Sequence, residues 1–136
     1  MSPNHELRSE ANKWLREANK DLHSAKLLLH PGEPEPSRSL FHCQQAAEKA
    51  TNAFLAFSNV PFRKTHDLVA LGLQCGDVDP SLTALLSEAA DLTDYASTFR
   101  YPDAPYEPDL DEALRALEIA ERLFAQISTR IGAPGG

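Results

Sequence analysis

No stretch of this 136-residue chain stays apolar for anything near the ~20 residues that a membrane-spanning helix needs, so a membrane partner is not expected. Cysteine is scarce as well. The two present, Cys43 and Cys75, stand in apolar helical settings, which suggests neither a disulfide framework nor a paired metal motif and predicts reduced thiols in a core. The Glu-x-x-His pair that di-iron bundles repeat on two helices never occurs, and His5, His23, His30, His42 and His66 are scattered. No metal site and no cofactor are expected. The first twenty residues are polar and mixed in charge, without an apolar core or a small-residue cleavage site, and so predict a cytoplasmic protein rather than a secreted one. Positive charge is scarce in one half only: residues 1–64 carry nine Lys/Arg against seven Asp/Glu, whereas residues 65–136 carry four against thirteen, for a net charge of −7. Affinity for a phosphate backbone comes mainly from clustered cations, so no DNA partner is expected. Contact with RNA or nucleotide has to be local, through residues such as Arg38, Arg63, Lys64 and Arg100, and the acidic half suits a basic protein partner.

What the chain has in quantity is helical periodicity. In residues 38–57, Cys43, Ala47, Ala50, Phe54 and Phe57 recur at steps of four and three, with small side chains that let a neighbouring helix approach and large ones that fill the space beyond. This segment reads as the central helix, capped by Ser37. A first helix is predicted from Pro3 or Asn4 to about Leu29, with Leu7, Ala11, Trp14 or Leu15, Ala18, Leu22, Ala25 and Leu29 inward and Trp14 as an anchor near one end. Three prolines within residues 31–36 stop it. A short helix from about His66 to Cys75 carries Leu68, Leu71 and Leu73, with Thr65 as its cap and a turn beginning at Gly76. A fourth starts at Pro80 or Ser81, and a fifth runs from about Asp109 to Arg130 on a stripe that includes Leu110, Leu114, Leu117 and Ile127. No run alternates with period two. The expected fold is all-α: an antiparallel up-and-down four-helix bundle with an additional short helix, one domain over residues 1–131 and a flexible tail from 132 to 136.

Polar residues on the central helix, Gln44, Gln45, Glu48, Lys49 and Asn52, also fall at three- and four-residue steps. Two readings stay open: a solvated face with an i,i+4 pair at Glu48, or a polar seam facing a groove or a second subunit. The loop from Thr98 to Pro108 holds three prolines and three aromatics. In it the Arg100 guanidinium suits a phosphate or carboxylate, or else pairs with Asp94 or Asp103 to pin the loop. His66, beside Arg63, Lys64 and Asp67, reads as a helix-start residue or, if nucleotide binds, as part of a phosphate contact. His42 carries the same ambiguity.

Three pieces in this order, FHCQQAAEKATNAFL at 41–55, THDL at 65–68 and Phe99-Arg100-Tyr101-Pro102-Asp103, resemble the HEPN domain of prokaryotes across roughly Leu15 to Ile127. The resemblance implies a helical module linked to nucleotide binding, to minimal nucleotidyltransferase partners and to RNA cleavage. In nuclease members it implies an Arg followed four to six residues on by a His. Such a pair makes chemical sense, since the imidazole moves a proton at neutral pH and the guanidinium stabilises charge growing on the phosphate. Here Arg100 is followed at 105, 106 and 107 by Pro, Tyr and Glu, so the nuclease motif is incomplete and enzymatic activity is left undecided; Arg100 and Tyr106 are the only weak catalytic candidates, Tyr106 being a poor proton carrier near neutral pH.

The expectation is a homodimeric bundle that binds a partner protein, a minimal nucleotidyltransferase in a toxin–antitoxin pair. Nucleotide or RNA would meet Arg100, Tyr101, Gln45, Glu48, Lys49, Arg63, Lys64 and His66. A metal-independent endoribonuclease and a non-catalytic structural adaptor are the alternatives.

Overall fold

The computed structural model describes residues 3–62, 67–98 and 108–132, and the side chains of 5–62, 67–92 and 108–132. The helices are α1 (Pro3–Leu27), α2 (Pro36–Phe57), α3 (Leu68–Val78), α4 (Thr83–Thr98) and α5 (Leu110–Ile131), with a 3-10 turn at Pro80–Leu82 between α3 and α4. No strand occurs among the described residues. This is the all-α bundle the periodicity predicts, four long helices and one short.

α2 lies at the centre. It touches all four other helices, and thirteen of its 22 residues are buried, too many for a helix with one solvent face. Against it α1 lays a seven-residue repeat in which Ala11, Ala18 and Ala25 alternate with Leu15, Leu22 and, just past the helix end, Leu29, all of them buried. Alanines at Ala46, Ala47, Ala50 and Ala53 of α2 and at Ala113, Ala116 and Ala120 of α5 are likewise buried. Small residues on facing surfaces let helix axes approach, and the leucines between them close the gaps. At one crossing the Ser39 hydroxyl donates to the Ala25 carbonyl at 2.9 Å, which satisfies a polar side chain that is fully out of water. Trp14 is half-buried and meets Phe62 edge-on, with ring centroids 6.2 Å apart.

Several boundaries differ from expectation. α2 begins at Pro36, and Glu35 occupies its N-cap position without a side-chain cap bond, so Ser37 lies inside the helix. A proline has the φ of a first helical turn and no N–H to leave unpaired there, so the third proline of the loop is the start of the helix. The other end of α2 closes through Asn59 at φ 58°: Asn59 N–H donates to Ala56 O at 3.1 Å and Val60 N–H to Leu55 O at 3.0 Å. This pair of bonds satisfies terminal carbonyls that the helix itself leaves open. α3 is capped by Asp67, whose Oδ1 accepts from Val69 N–H at 3.0 Å and Ala70 N–H at 3.4 Å; Thr65 lies outside the described residues. The helix then continues through Gly76 to Val78. A Cβ on Gly76 would stand 3.2 Å from Thr83 Oγ1, so this glycine admits a close pass of the next element rather than a turn. Leu73, Leu110 and Leu114, placed inward from sequence, are exposed.

Asp79 fastens the α3–α4 junction to the end of α5. Its carboxylate accepts from Ser81 Oγ at 2.6 Å, Ser81 N–H at 3.0 Å and Arg130 Nε at 2.6 Å, while Arg130 Nη2 donates to Ser81 Oγ at 2.8 Å. Gly132, in the left-handed region at φ 68°, closes α5; residues 133–136 of the expected tail lie outside the described residues. Among the described residues no helix is long and apolar enough to cross a membrane.

Candidate functional site

The polar residues of α2 divide into two rows with different surroundings. Gln44, Glu48 and Asn52, one helical turn apart, are only 2, 7 and 5% exposed. The solvated-face reading therefore fails for this row. An interior carboxylate needs hydrogen bonds to offset lost hydration, and the Gln44 amide supplies one to Glu48 Oε2 at 2.9 Å. Gln45 Nε2 in turn donates to Gln44 Oε1 at 3.2 Å, which ties the buried row to its half-buried neighbour. Asn52 Oδ1 is buried with no hydrogen-bond partner among the described residues.

The second row is Arg38, His42, Gln45 and Lys49, spaced four, three and four apart and therefore on one face of α2. Arg38 is exposed, and the other three are half-buried. Beneath them lies Asp21 of α1, 9% exposed. Asp21 Oδ1 stands 2.8 Å from His42 Nδ1, and Asp21 Oδ2 accepts from Lys49 Nζ at 2.6 Å. One carboxylate thus holds two side chains that are two helical turns apart, and a charge-assisted bond of this kind is about twice as strong as a neutral one. A carboxylate facing Nδ1 favours the tautomer with its proton there, which leaves Nε2 as the lone-pair nitrogen. The ring is also fixed by Phe41, whose edge meets it at a centroid distance of 5.5 Å. Arg38 is less constrained: its Nε stands 3.6 Å from Glu35 Oε1 with both side chains at least half exposed, a surface pair that water screens heavily.

Asp21 has no place among the residues singled out from sequence. The signal was nevertheless present. Trp14, Ala18, Asp21 and Ala25 run at steps of four, three and four, so an acidic residue sits in register with one edge of an apolar stripe. Gln45, Glu48 and Lys49 are brought together on α2, Glu48 inside and the other two toward the surface. Arg63, Lys64, His66, Arg100, Tyr101 and Tyr106 lie outside the described residues, as does any pairing of Arg100 with Asp94 or Asp103.

Elsewhere, a groove of about 590 Å³ between α4 and α5 is lined in part by Arg122, Gln126 and Arg130, but Arg122 faces Glu88 at 3.5 Å and Arg130 is bound to Asp79. Its cations are already matched. Among the described residues no three His, Cys, Asp or Glu side chains gather as metal ligands. Burial pushes both thiols, Cys43 and Cys75, up to about 12, so neither is a nucleophile at neutral pH.

Compared with known proteins, the chain finds no match among curated sequences or solved structures. Residues 11–129 match the family model of the HEPN domain, a span that reaches from the first buried alanine of α1 nearly to the end of α5 and includes the whole Asp21–His42–Lys49 cluster. By that match the chain belongs to the HEPN domain family.

Proposed function

We propose that this HEPN-domain protein is a recognition module that binds a phosphate-bearing ligand, nucleotide or RNA, along the half-exposed row of α2 and acts together with a partner protein. The observation that carries the reading is the row itself. In a chain with net charge −7, Arg38, His42 and Lys49 gather on one helical face, and Gln45 lies between them with an amide suited to phosphate or base oxygens. Lys49 is held by Asp21, so its side chain is already ordered before a ligand arrives, which lowers the entropy cost of binding. Arg63, Lys64, His66, Arg100 and Tyr101 would extend the contact.

The partner we propose is a minimal nucleotidyltransferase of a toxin–antitoxin pair, and the working form a homodimer. Self-association is favoured by apolar side chains left outside: Val69 and Leu73 one turn apart on α3, and Leu110 and Leu114 one turn apart on α5.

Thermal shift with ATP, GTP and AMP, together with fluorescence anisotropy of a labelled single-stranded RNA, tests the ligand. Stabilisation that grows with ligand concentration and is lost in Lys49→Met supports the reading; no shift at millimolar nucleotide and no RNA binding overturn it. Co-purification with the nucleotidyltransferase, when one is encoded beside this gene, tests the partner, and sizing as a monomer at high concentration would end the dimer.

A further inference from the structure

Gln45 lies at the outer end of a hydrogen-bond relay whose direction is set from inside the bundle. Glu48 Oε2 accepts from Gln44 Nε2 at 2.9 Å, and a carboxylate has no proton to give in return, so the Gln44 amide faces it with its nitrogen. Gln44 therefore presents its oxygen to the next residue, and Gln45 Nε2 donates to Gln44 Oε1 at 3.2 Å. Gln44 and Glu48 are only 2 and 7% exposed, so little water competes for the inner bond. Turning the Gln45 amide over would set two carbonyl oxygens against each other, and turning both amides would set the Gln44 oxygen against the carboxylate. The half-buried outer amide thus has a fixed order, with one Nε2 proton spent on Gln44 and Oε1 accepting nothing among the described residues. Hydrogen bonds in a chain polarise one another, which makes Oε1, at the far end from a carboxylate, a stronger acceptor.

We propose that Gln45 is the base-reading residue of the α2 row and selects adenine or cytosine over guanine or uracil, with Gln44 and Glu48 as positioning residues behind it. This rests on the reading above that the row binds nucleotide or RNA. Adenine and cytosine carry an exocyclic amine beside a ring nitrogen with a lone pair, so the amine donates to Oε1 while the second Nε2 proton reaches the ring nitrogen. Guanine and uracil carry a carbonyl oxygen at the same place, which repels Oε1. A glutamine free to turn over would serve both kinds of base; the relay removes that freedom before a ligand arrives. His42 and Lys49 stand one turn to either side of Gln45, both held by the Asp21 carboxylate. Their contacts to phosphate set where the base edge meets Gln45, and the ordered amide supplies the discrimination.

The test uses paired ligands that exchange this amine for a carbonyl: AMP against IMP by titration calorimetry, and labelled single-stranded hexamers of cytidine against uridine by anisotropy, both with the full chain. We expect the amine-bearing member of each pair to bind about tenfold or more tightly. Gln45→Met should bring each ratio to about one while the protein melts as the wild type does. Lys49→Met should weaken both members alike and leave the ratio as it was, the pattern of a phosphate contact. Gln44→Met releases the outer amide to turn over, so the ratio should fall while the carbonyl-bearing ligand binds as well as before or better, which loss of fold would not produce. Equal binding within either pair, a preference for the carbonyl-bearing member, or a ratio untouched by Gln45→Met overturns the proposal and leaves the recognition reading standing. No binding of any of the four ligands overturns both.

Discussion

Asn59 is the only described residue other than glycine with positive φ, at 58°, and it stands where α2 must stop and turn. Asparagine tolerates that conformation better than most residues because its short amide makes local hydrogen bonds, whereas a β-branched side chain clashes there. Asn59→Gly is expected to melt within a degree or two of wild type, and Asn59→Val to lose about 1–2 kcal/mol by chemical denaturation. Asp21 teaches the complementary lesson about legibility. Its place in the apolar register of α1 could be read in advance, but the choice of His42 and Lys49 as partners depended on the relative rotation of two helices, which spacing within one helix does not contain. For Gln44, Glu48 and Asn52 the same ignorance left open a solvated face and a seam toward a groove or a second subunit, whereas the packing of α2 against four neighbours buries this row within the chain itself.

Among the elements, helix identity was plain in the sequence because the apolar steps of α1, α2 and α5 each extend over several turns. Ends were harder. Pro36 and Gly76 carry breaker chemistry, yet Pro36 opens α2 and Gly76 lies inside α3, because a first turn needs no N–H from proline and a passing Thr83 favours the absence of a Cβ. Asp109 behaves as composition suggests: its side chain accepts from Glu112 N–H at 2.8 Å and caps α5. Asp109→Ala should cost about 1 kcal/mol, seen as a melting temperature about 3–5 °C lower. In the middle of the same helix Leu123 is fully buried, and Leu123→Ala should cost about 2–5 kcal/mol in urea titration, since the surrounding helices cannot collapse fully into the space. A loss below 1 kcal/mol would mean that α5 packs more loosely than its burial implies.

For the molecule as a whole, acid should loosen the clasp between α5 and the α3–α4 junction. Hydrogen bonds from Ser81 first and Arg130 second hold the Asp79 carboxyl below its ordinary value of 3.8. A carboxyl depressed in the folded state adds stability above its unfolded value, and that share is lost as pH falls through the folded one. Wild type should therefore melt above Asp79→Asn at neutral pH, with the gap narrowing below about pH 4; a gap constant down to pH 2 would assign the difference to geometry alone. The two sealed thiols offer an independent readout of such loosening. Cys75, on short α3, donates to Thr51 O at 3.7 Å, whereas Cys43 is fully buried on the central helix α2. An alkylating reagent should thus label Cys75 whenever α3 detaches and Cys43 only when the whole bundle opens, so that two labelling clocks in one chain separate peripheral breathing from complete unfolding.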